Sequence, residues 1–129
     1  MPKHAKGSFD VTLTPQEQPA DAPVARMLLH KEFHGDLEAV AHGEMLAGHE
    51  PLTGAGVYVA IDRVTGTLHG RSGSFLIAHR GIRNSEGQSL DIVIVPGTGT
   101  GQLEGIRGSV GIQIEGKEHF YTMEYELRG

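Results

Sequence analysis

The sequence predicts an all-β fold, an eight-stranded antiparallel closed barrel, and three observations support this prediction. Apolar and polar residues alternate with period two in several short segments, which is typical of half-buried strands. Glycine accounts for 19 of the 129 residues, roughly twice its usual share of about 7 %, and it separates these segments. No segment has a convincing amphipathic helical pattern, and closing such a sheet leaves no edge strand exposed.

The first three predicted strands lie before residue 47. Ser8–Thr14 places Phe9, Val11 and Leu13 on one face. Ala25–Phe33 fits a helix or a strand, and we predict a strand because a turn at His34–Asp36 follows it. Leu37–Leu46 also alternates, although its many good helix formers leave a helix as the alternative.

The second half of the chain continues the same pattern. The predicted strands are Gly56–Val64, Ser72–Arg80, Ser89–Val95, Ser109–Glu115 and His119–Leu127, with a tight turn at Thr65-Gly66. The glycine-punctuated stretch Pro96–Gly108 predicts a corner of the barrel, because glycine allows sharp bends and close backbone approach. A phosphate-binding loop is the alternative, but the stretch lacks the Gly-Lys-Ser/Thr that opens a helix.

Composition limits the classes of function. The net charge is −5 and there is no tryptophan, which argues against nucleic-acid binding because such proteins need a clustered basic face. Cysteine is absent, so disulfides and thiolate ligands are excluded. No apolar run reaches the roughly 18 residues of a membrane span and no secretory signal is visible. We therefore expect one cytoplasmic domain over residues 1–129 with no membrane partner.

Several segments, in order along the chain after residue 33, resemble a known family. They are His34–Leu37, Tyr58–Ile61, Gly66–Phe75, His79 with Gly81, Val95–Gly105 and His119–Tyr125. The chain resembles a small bacterial barrel family of unassigned function that is grouped with the allene oxide cyclase barrel and, more loosely, with the dirigent proteins. This resemblance implies an eight-stranded barrel that associates as a homo-oligomer. Allene oxide cyclase is a cofactor-free isomerase whose site uses a cysteine, so its exact reaction does not transfer to this chain.

Three residues are candidates for proton transfer: His79, Glu44 and Tyr121. His79 shares a strand face with Phe75 and Ile77, and an imidazole inside an apolar barrel stays neutral and available as a base. The alternative is a buried structural histidine. Glu44 would have a raised pKa if its face were interior, whereas a solvated face is the alternative. Tyr121 donates a hydrogen bond to a ligand or belongs to the core.

The predicted ligand-binding residues are Tyr58, Arg71, Phe75, His119 and Met123. Arg71 suits a ligand carboxylate, and the others line a predominantly apolar interior. We predict no cofactor and no metal, because the eight histidines show no metal-ligand spacing. Convergence of His42, His79 and His119 from separate strands is the alternative.

These features leave three functions open. The first is binding of one small, mostly apolar molecule inside the barrel, which is all that about eight strands can enclose. The second is a cofactor-free isomerase or cyclase, in which an interior histidine or glutamate moves a proton. The third is a structural or interaction protein with a filled barrel. Whether the protein is an enzyme is not decided by its sequence.

Overall fold

The computed structural model describes residues 2–127 and contains eight strands that form one closed antiparallel barrel. Each strand pairs with its neighbours in the chain, and the last strand pairs with the first. The strands are β1 Lys3–Pro15, β2 Ala25–Gly35, β3 Leu37–His49, β4 Gly56–Leu68, β5 Arg71–Asn84, β6 Gly87–Ile94, β7 Arg107–Glu115 and β8 Glu118–Glu126. The predicted fold class is confirmed.

The period-two pattern determines which side chains face the interior. In β3, Leu37, Ala39 and Ala41 are buried while Glu38 and Val40 are exposed. The two segments for which a helix was the alternative are both strands, because alternate burial in a closed sheet outweighs local helix propensity. Seven of the eight strands are also longer than the sequence pattern predicted, and β8 has the predicted length of nine residues.

The prediction of a tight turn at Thr65-Gly66 is wrong. β4 continues through both residues to Leu68, and they pair with Val40 and Ala39 of β3. The chain turns instead at His69 and Gly70, both of which have positive φ angles. A glycine inside a strand that lies close to its neighbour was mistaken for a turn glycine.

The glycine-rich segment between β6 and β7 covers one end of the barrel, which we call the closed end. Thr100 donates its backbone N–H to the carbonyl of Ser74, and the Thr98 hydroxyl accepts the N–H of Leu76. A short 3₁₀ helix, Gly101–Leu103, follows, and the side chains of Leu103 and Ile106 are fully buried. The predicted corner is therefore also a plug for the core.

The core fills the half of the barrel next to the closed end. Its largest fully buried side chains include Phe75, Tyr121, Tyr125 and Leu68. Phe33 packs edge-on against Tyr121, with ring centroids 5.4 Å apart. Aromatic residues of this kind supply much of the burial energy of a small domain.

The contact between β6 and β7, here called the β6–β7 seam, is the shortest in the barrel. Only Val93 with Ser109 and Ile94 with Gly108 are paired across it. Both pairs lie near the closed end, so the two strands separate toward the other end. No helix within residues 2–127 has the length and apolar character needed to cross a membrane.

Candidate functional site

The end of the barrel opposite the closed end holds a cavity of about 770 Å³, here called the mouth cavity. It opens between the ends of the strands and reaches the separated part of the β6–β7 seam. Its walls are mostly apolar and include Phe9, Val11, Leu13, Leu29, Met45, Ala47, Leu90, Ile112 and Ile114. Pockets of about 300–1,000 Å³ with such walls are typical of small-molecule sites.

A buried ion pair lies at the floor of the mouth cavity. The ammonium of Lys31 donates a hydrogen bond of 2.7 Å to Asp62 Oδ2. Lys31 is 4 % exposed and Asp62 is fully buried. Each charge removes much of the desolvation cost of the other, since isolated buried charges are very costly.

The sequence of β3 makes room for this ion pair. Lys31 projects inward from β2 and Asp62 from β4, so the pair spans the inner face of β3. The inward residues of β3 at that level are Ala41 and Gly43, and a Cβ on Gly43 would collide with Asp62 Oδ1 and the carbonyl of Ile61. A glycine at this position is therefore required by the close approach of the carboxylate.

His79 lies beside the ion pair on β5 and is 8 % exposed. Burial lowers the pKa of His79 from 6.5 to about 4, and the positive charge of Lys31 acts in the same direction while Asp62 opposes it. Its buried Nε2 has no hydrogen-bond partner among residues 2–127. The imidazole is therefore neutral at pH 7, and its unpartnered Nε2 lies buried just beneath the cavity floor.

Tyr58 forms the wall next to His79. The two rings meet edge to face, with centroids 5.5 Å apart. A Cβ on Gly81, the cross-strand neighbour of Tyr58, would collide with the phenol ring, so the glycine allows the ring to lie flat on β5. Burial raises the pKa of Tyr58, as does the negative charge of Asp62. The phenol therefore keeps its proton at neutral pH and can donate it in a hydrogen bond.

The structure divides the other predicted site residues between three places. His119 lines the mouth cavity and packs against the ring of Phe9, at a centroid distance of 5.2 Å. Phe75 and Met123 lie in the packed core. Arg71 is exposed at the closed end, where burial raises the pKa of Tyr125 and the positive charge of Arg71 partly opposes that rise.

Tyr121 also belongs to the packed core, and its hydroxyl is fully occupied. It accepts the backbone N–H of Leu37 at 2.9 Å and donates to the carbonyl of His34 at 3.1 Å. These bonds join β8 to the β2–β3 connection. The geometry therefore gives Tyr121 a structural contact and does not bring it to His79.

Glu44 lies outside the barrel, so the premise of an interior face is wrong. The alternation in β3 points Glu44 outward, where Arg26 donates a hydrogen bond to it at 2.6 Å. Both side chains are about half exposed, at 52 % and 55 %. A glutamate in that environment has no desolvated carboxylate to offer to the cavity.

A sequence model described as "Protein of unknown function (DUF3224)" matches residues 5–125. The chain belongs to the DUF3224 family. It is similar to the crystal structure of a DUF3224 protein of unknown function from Shewanella oneidensis MR-1, with 38 % identity and a TM-score of 0.92. That likeness covers 100 % of this chain and 99 % of the other. A search of curated proteins found no match.

Family membership confirms the resemblance to a barrel family of unassigned function. The grouping of DUF3224 with the allene oxide cyclase barrel stays a prediction. The high TM-score extends over the whole chain, so the likeness includes the strands that carry the mouth cavity. It assigns no ligand and no reaction.

Lys31, which lines the cavity floor, and its buried partner Asp62 were missed in the sequence. The signal was present, because both are charged residues at inward positions of period-two strands. Lys31 stands between Leu29 and Phe33 on the inward face of β2, and Asp62 interrupts an otherwise apolar face of β4. A charge at such a position has to be paired inside the barrel or bound to a ligand.

Metal binding by His42, His79 and His119 together is not supported by the geometry. His42 faces outward on β3, whereas His79 and His119 face the cavity. Within residues 2–127, no three histidine, aspartate or glutamate side chains come together as a metal-binding group.

Proposed function

We propose that this DUF3224 protein binds one small, mostly apolar molecule in the mouth cavity. The observation that supports the proposal is the combination of an apolar-walled cavity of about 770 Å³ with a small polar floor. Burial of an apolar ligand supplies affinity at about 25 cal/mol per Å² removed from water. A few polar groups then fix the orientation of the ligand.

The charge balance of the floor indicates which polar group the ligand carries. The ammonium of Lys31 is already neutralised by Asp62, and the imidazole of His79 is uncharged at neutral pH. A carboxylate at the floor would lose its hydration without gaining a free countercharge there, because Arg83, which also lines the cavity, is exposed near the end of β5. The floor therefore favours an uncharged polar group, such as a ketone or an alcohol, which Tyr58 and His79 can hydrogen-bond.

The experiment compares two fluorescent naphthalene probes of similar size. The neutral ketone 6-propionyl-2-dimethylaminonaphthalene should bind with saturable blue-shifted emission, and anilinonaphthalene sulfonate should bind more weakly. Ala47→Trp, which fills the cavity from the inner face of β3, should abolish binding of the ketone. Val40→Trp, on the outer face of the same strand and outside the cavity lining, should leave it unchanged. Equal binding by both variants would refute the mouth cavity as the site.

Native mass spectrometry of the purified protein complements the probe titration. A retained molecule should be observed as a discrete mass increment that is lost in Ala47→Trp. Its released mass and fragmentation would identify the natural ligand class. A retained molecule that persists in Ala47→Trp would place the ligand elsewhere.

A cofactor-free isomerase is the second candidate, and the neutral imidazole of His79 beside the Tyr58 phenol favours it. In such a reaction His79 takes a proton from carbon next to a carbonyl while Tyr58 donates a hydrogen bond to the carbonyl oxygen. The low pKa of His79 keeps the ring unprotonated but limits it to acidic C–H groups. This role would agree with the predicted kinship to the allene oxide cyclase barrel.

Proton exchange separates catalysis from simple binding. In D₂O, an isomerase-type site should exchange the α-protons of the bound ketone probe faster than buffer does, and His79→Ala should abolish that exchange while the protein stays folded. If the wild-type protein exchanges these protons only at the buffer rate, catalysis is rejected and ligand binding is the function that still stands. The third possibility was a structural protein with a filled barrel. Only the half of the barrel next to the closed end is filled with side chains, and the other half contains the mouth cavity.

The predicted homo-oligomer has a candidate interface on the outer face of β3 to β6. Leu46, Val59, Ile61 and Val93 are between 45 % and 61 % exposed there. The ion pairs Arg26–Glu44 and Arg80–Asp91 flank this apolar stripe on its two sides. Each flank carries both signs of charge, which would allow opposite charges of two copies to meet across a two-fold axis.

We infer that a second copy of this chain covers that stripe, and sedimentation equilibrium tests it. The wild-type protein should be a dimer and Ile61→Lys a monomer. Thr65→Lys, exposed on the same strand beyond the stripe, should remain a dimer. A monomeric wild-type protein, or a dimeric Ile61→Lys variant, would reject this interface.

A further inference from the structure

Two histidines face each other on the outer surface of the barrel, away from the mouth cavity. His30 of β2 and His42 of β3 are direct cross-strand partners. Their Nδ1 atoms are 3.4 Å apart and their ring centroids 4.8 Å apart. His42 is exposed, and the side chain of His30 is 41 % exposed. Both rings are therefore accessible from solvent.

The distance between the two nitrogens matches the spacing of two ligands on one metal ion. Zinc–imidazole bonds are about 2.0–2.1 Å long, so two nitrogens on one tetrahedral ion lie about 3.3–3.4 Å apart. A neutral imidazole presents a lone pair on one ring nitrogen and a proton on the other. Metal binding at Nδ1 requires that the proton of each ring sit on Nε2.

The environment of His30 favours that tautomer. Its Nε2 lies 3.3 Å from Glu32 Oε2, so the carboxylate can accept the Nε2 proton while Nδ1 faces His42. Metal-ligating histidines usually donate their other N–H to a carboxylate in this way, which orients the ring and raises its basicity. The carboxylate also adds a negative charge beside the ion.

We propose that His30 and His42 bind a divalent transition-metal cation that prefers imidazole, of the class Cu²⁺, Ni²⁺ or Zn²⁺, through their Nδ1 atoms. The strand pairing holds both ligands in place, which lowers the entropy cost of chelation. Only two protein ligands are present, so the remaining positions are open to water or to a ligand atom from another molecule. Affinity should follow the order Cu²⁺, then Ni²⁺, then Zn²⁺, with Zn²⁺ at the weak end.

The charged neighbours set the limits of this affinity. Glu44 lies next to the site, as the cross-strand partner of Leu28, but it already forms a salt bridge with Arg26. Arg63 is the cross-strand partner of His42 on β4 and also faces outward. Its positive charge opposes a bound cation, so Arg63→Gln should tighten binding. Protons compete for the same nitrogens, so binding should be weaker in acid than at pH 7.5.

The test is isothermal titration of the untagged full chain with Ni²⁺ at pH 7.5. One ion per chain should bind to the wild-type protein. His30→Ala and His42→Ala should each weaken binding at least about tenfold, since even the outer partners of a ligating histidine are worth that much. The control is His34→Ala, because His34 is exposed on the same face of β2 but lies near Asp10 and Glu38.

The outcomes distinguish this site from unspecific binding and from a simple imidazole–imidazole hydrogen bond. Wild-type affinity in His30→Ala or His42→Ala, an equal loss in His34→Ala, or no saturable binding by the wild-type protein would each overturn the proposal. Nitrogen NMR of the histidine rings should show that Ni²⁺ or Zn²⁺ perturbs Nδ1 of these two residues first. All variants are on the surface, so each should fold as the wild type does, and circular dichroism checks this.

Discussion

Lys31 and Asp62 are joined across the inner face of an intervening strand, with 2.7 Å between Nζ and Oδ2. The two residues come from β2 and β4, so the ion pair bridges β3 above Gly43. It separates the packed core of the barrel from the mouth cavity. Inside a low-dielectric interior, such a pair is costly to break and less costly to replace as a whole.

Removing one partner of the ion pair should destabilise the protein strongly. Lys31→Met leaves Asp62 as an unpaired buried charge, and we expect a loss of about 3–5 kcal/mol in the free energy of unfolding. The double variant Lys31→Met/Asp62→Val should recover most of this loss. Urea denaturation of the four proteins in the cycle measures both effects. A double variant less stable than Lys31→Met would show that the pair is needed for folding itself.

His79 should make the protein less stable in acid. Its pKa is about 4 in the folded protein and 6.5 when unperturbed, so the unfolded chain binds the proton more readily. The resulting loss in the free energy of unfolding is absent well above pH 6.5. It grows as pH falls from 6.5 to 4 and reaches about 3 kcal/mol at pH 4. His79→Gln should lose less stability than the wild type between pH 6.5 and 4. Parallel pH profiles for the two proteins would contradict the lowered pKa.

Gly43 should be far less tolerant of alanine than Gly48 on the same strand. A Cβ at Gly43 would collide with backbone and with Asp62, whereas one at Gly48 makes ordinary contacts at 3.7 Å and beyond. We expect Gly43→Ala to cost about 1–3 kcal/mol through overpacking. Gly48→Ala should be neutral or stabilising by up to about 1 kcal/mol. Thermal denaturation of the two variants decides the comparison, and equal melting temperatures would contradict it.

Tyr121→Phe should reduce stability without affecting probe binding. The substitution leaves the buried N–H of Leu37 without its acceptor, which should cost about 1–3 kcal/mol. Because Tyr121 lies in the packed half, affinity for the neutral naphthalene ketone should be unchanged. Tyr58→Phe is the matched control and should show the reverse pattern. A loss of probe affinity in Tyr121→Phe would restore its predicted place in the site.

The β6–β7 seam should exchange its amide hydrogens faster than the rest of the sheet. Backbone groups of β6 and β7 beyond Val93–Ser109 are not paired across the seam. Hydrogen exchange followed by mass spectrometry should show peptides from Gly87–Ile92 and Val110–Ile114 exchanging before those of β3 and β4. Bound ketone probe should slow them. Uniform protection around the barrel would contradict a seam that opens toward the mouth.

The sequence was most informative where burial alternates with period two. The inward faces of β1 and β3 follow directly from Phe9–Val11–Leu13 and Leu37–Ala39–Ala41. The predicted turn at Thr65-Gly66 was wrong because a glycine that lets two strands approach closely has the same local sequence pattern as a glycine in a turn. Only the partner strand, here Ala39 of β3, distinguishes the two situations.

The candidate site was harder to predict because its members meet through register. His79 and Tyr58 were recognised from their own strands, and they lie together at the cavity as neighbours on β4 and β5. Lys31 and Asp62 are 31 residues apart, and nothing in either strand alone indicates that they meet. His30 and His42 are 12 residues apart on opposite sides of a hairpin turn, so no local ligand motif marks them.

The division of the barrel into a packed half and a hollow half has an evolutionary consequence. Folding energy comes mainly from the half that contains Phe75, Tyr121 and the Leu103 plug. Side chains around the opening contribute less to that energy, so substitutions there should cost less stability than substitutions in the packed half. If the mouth cavity binds a ligand as proposed, substitutions at the rim could adapt the same scaffold to a different molecule with little risk of unfolding.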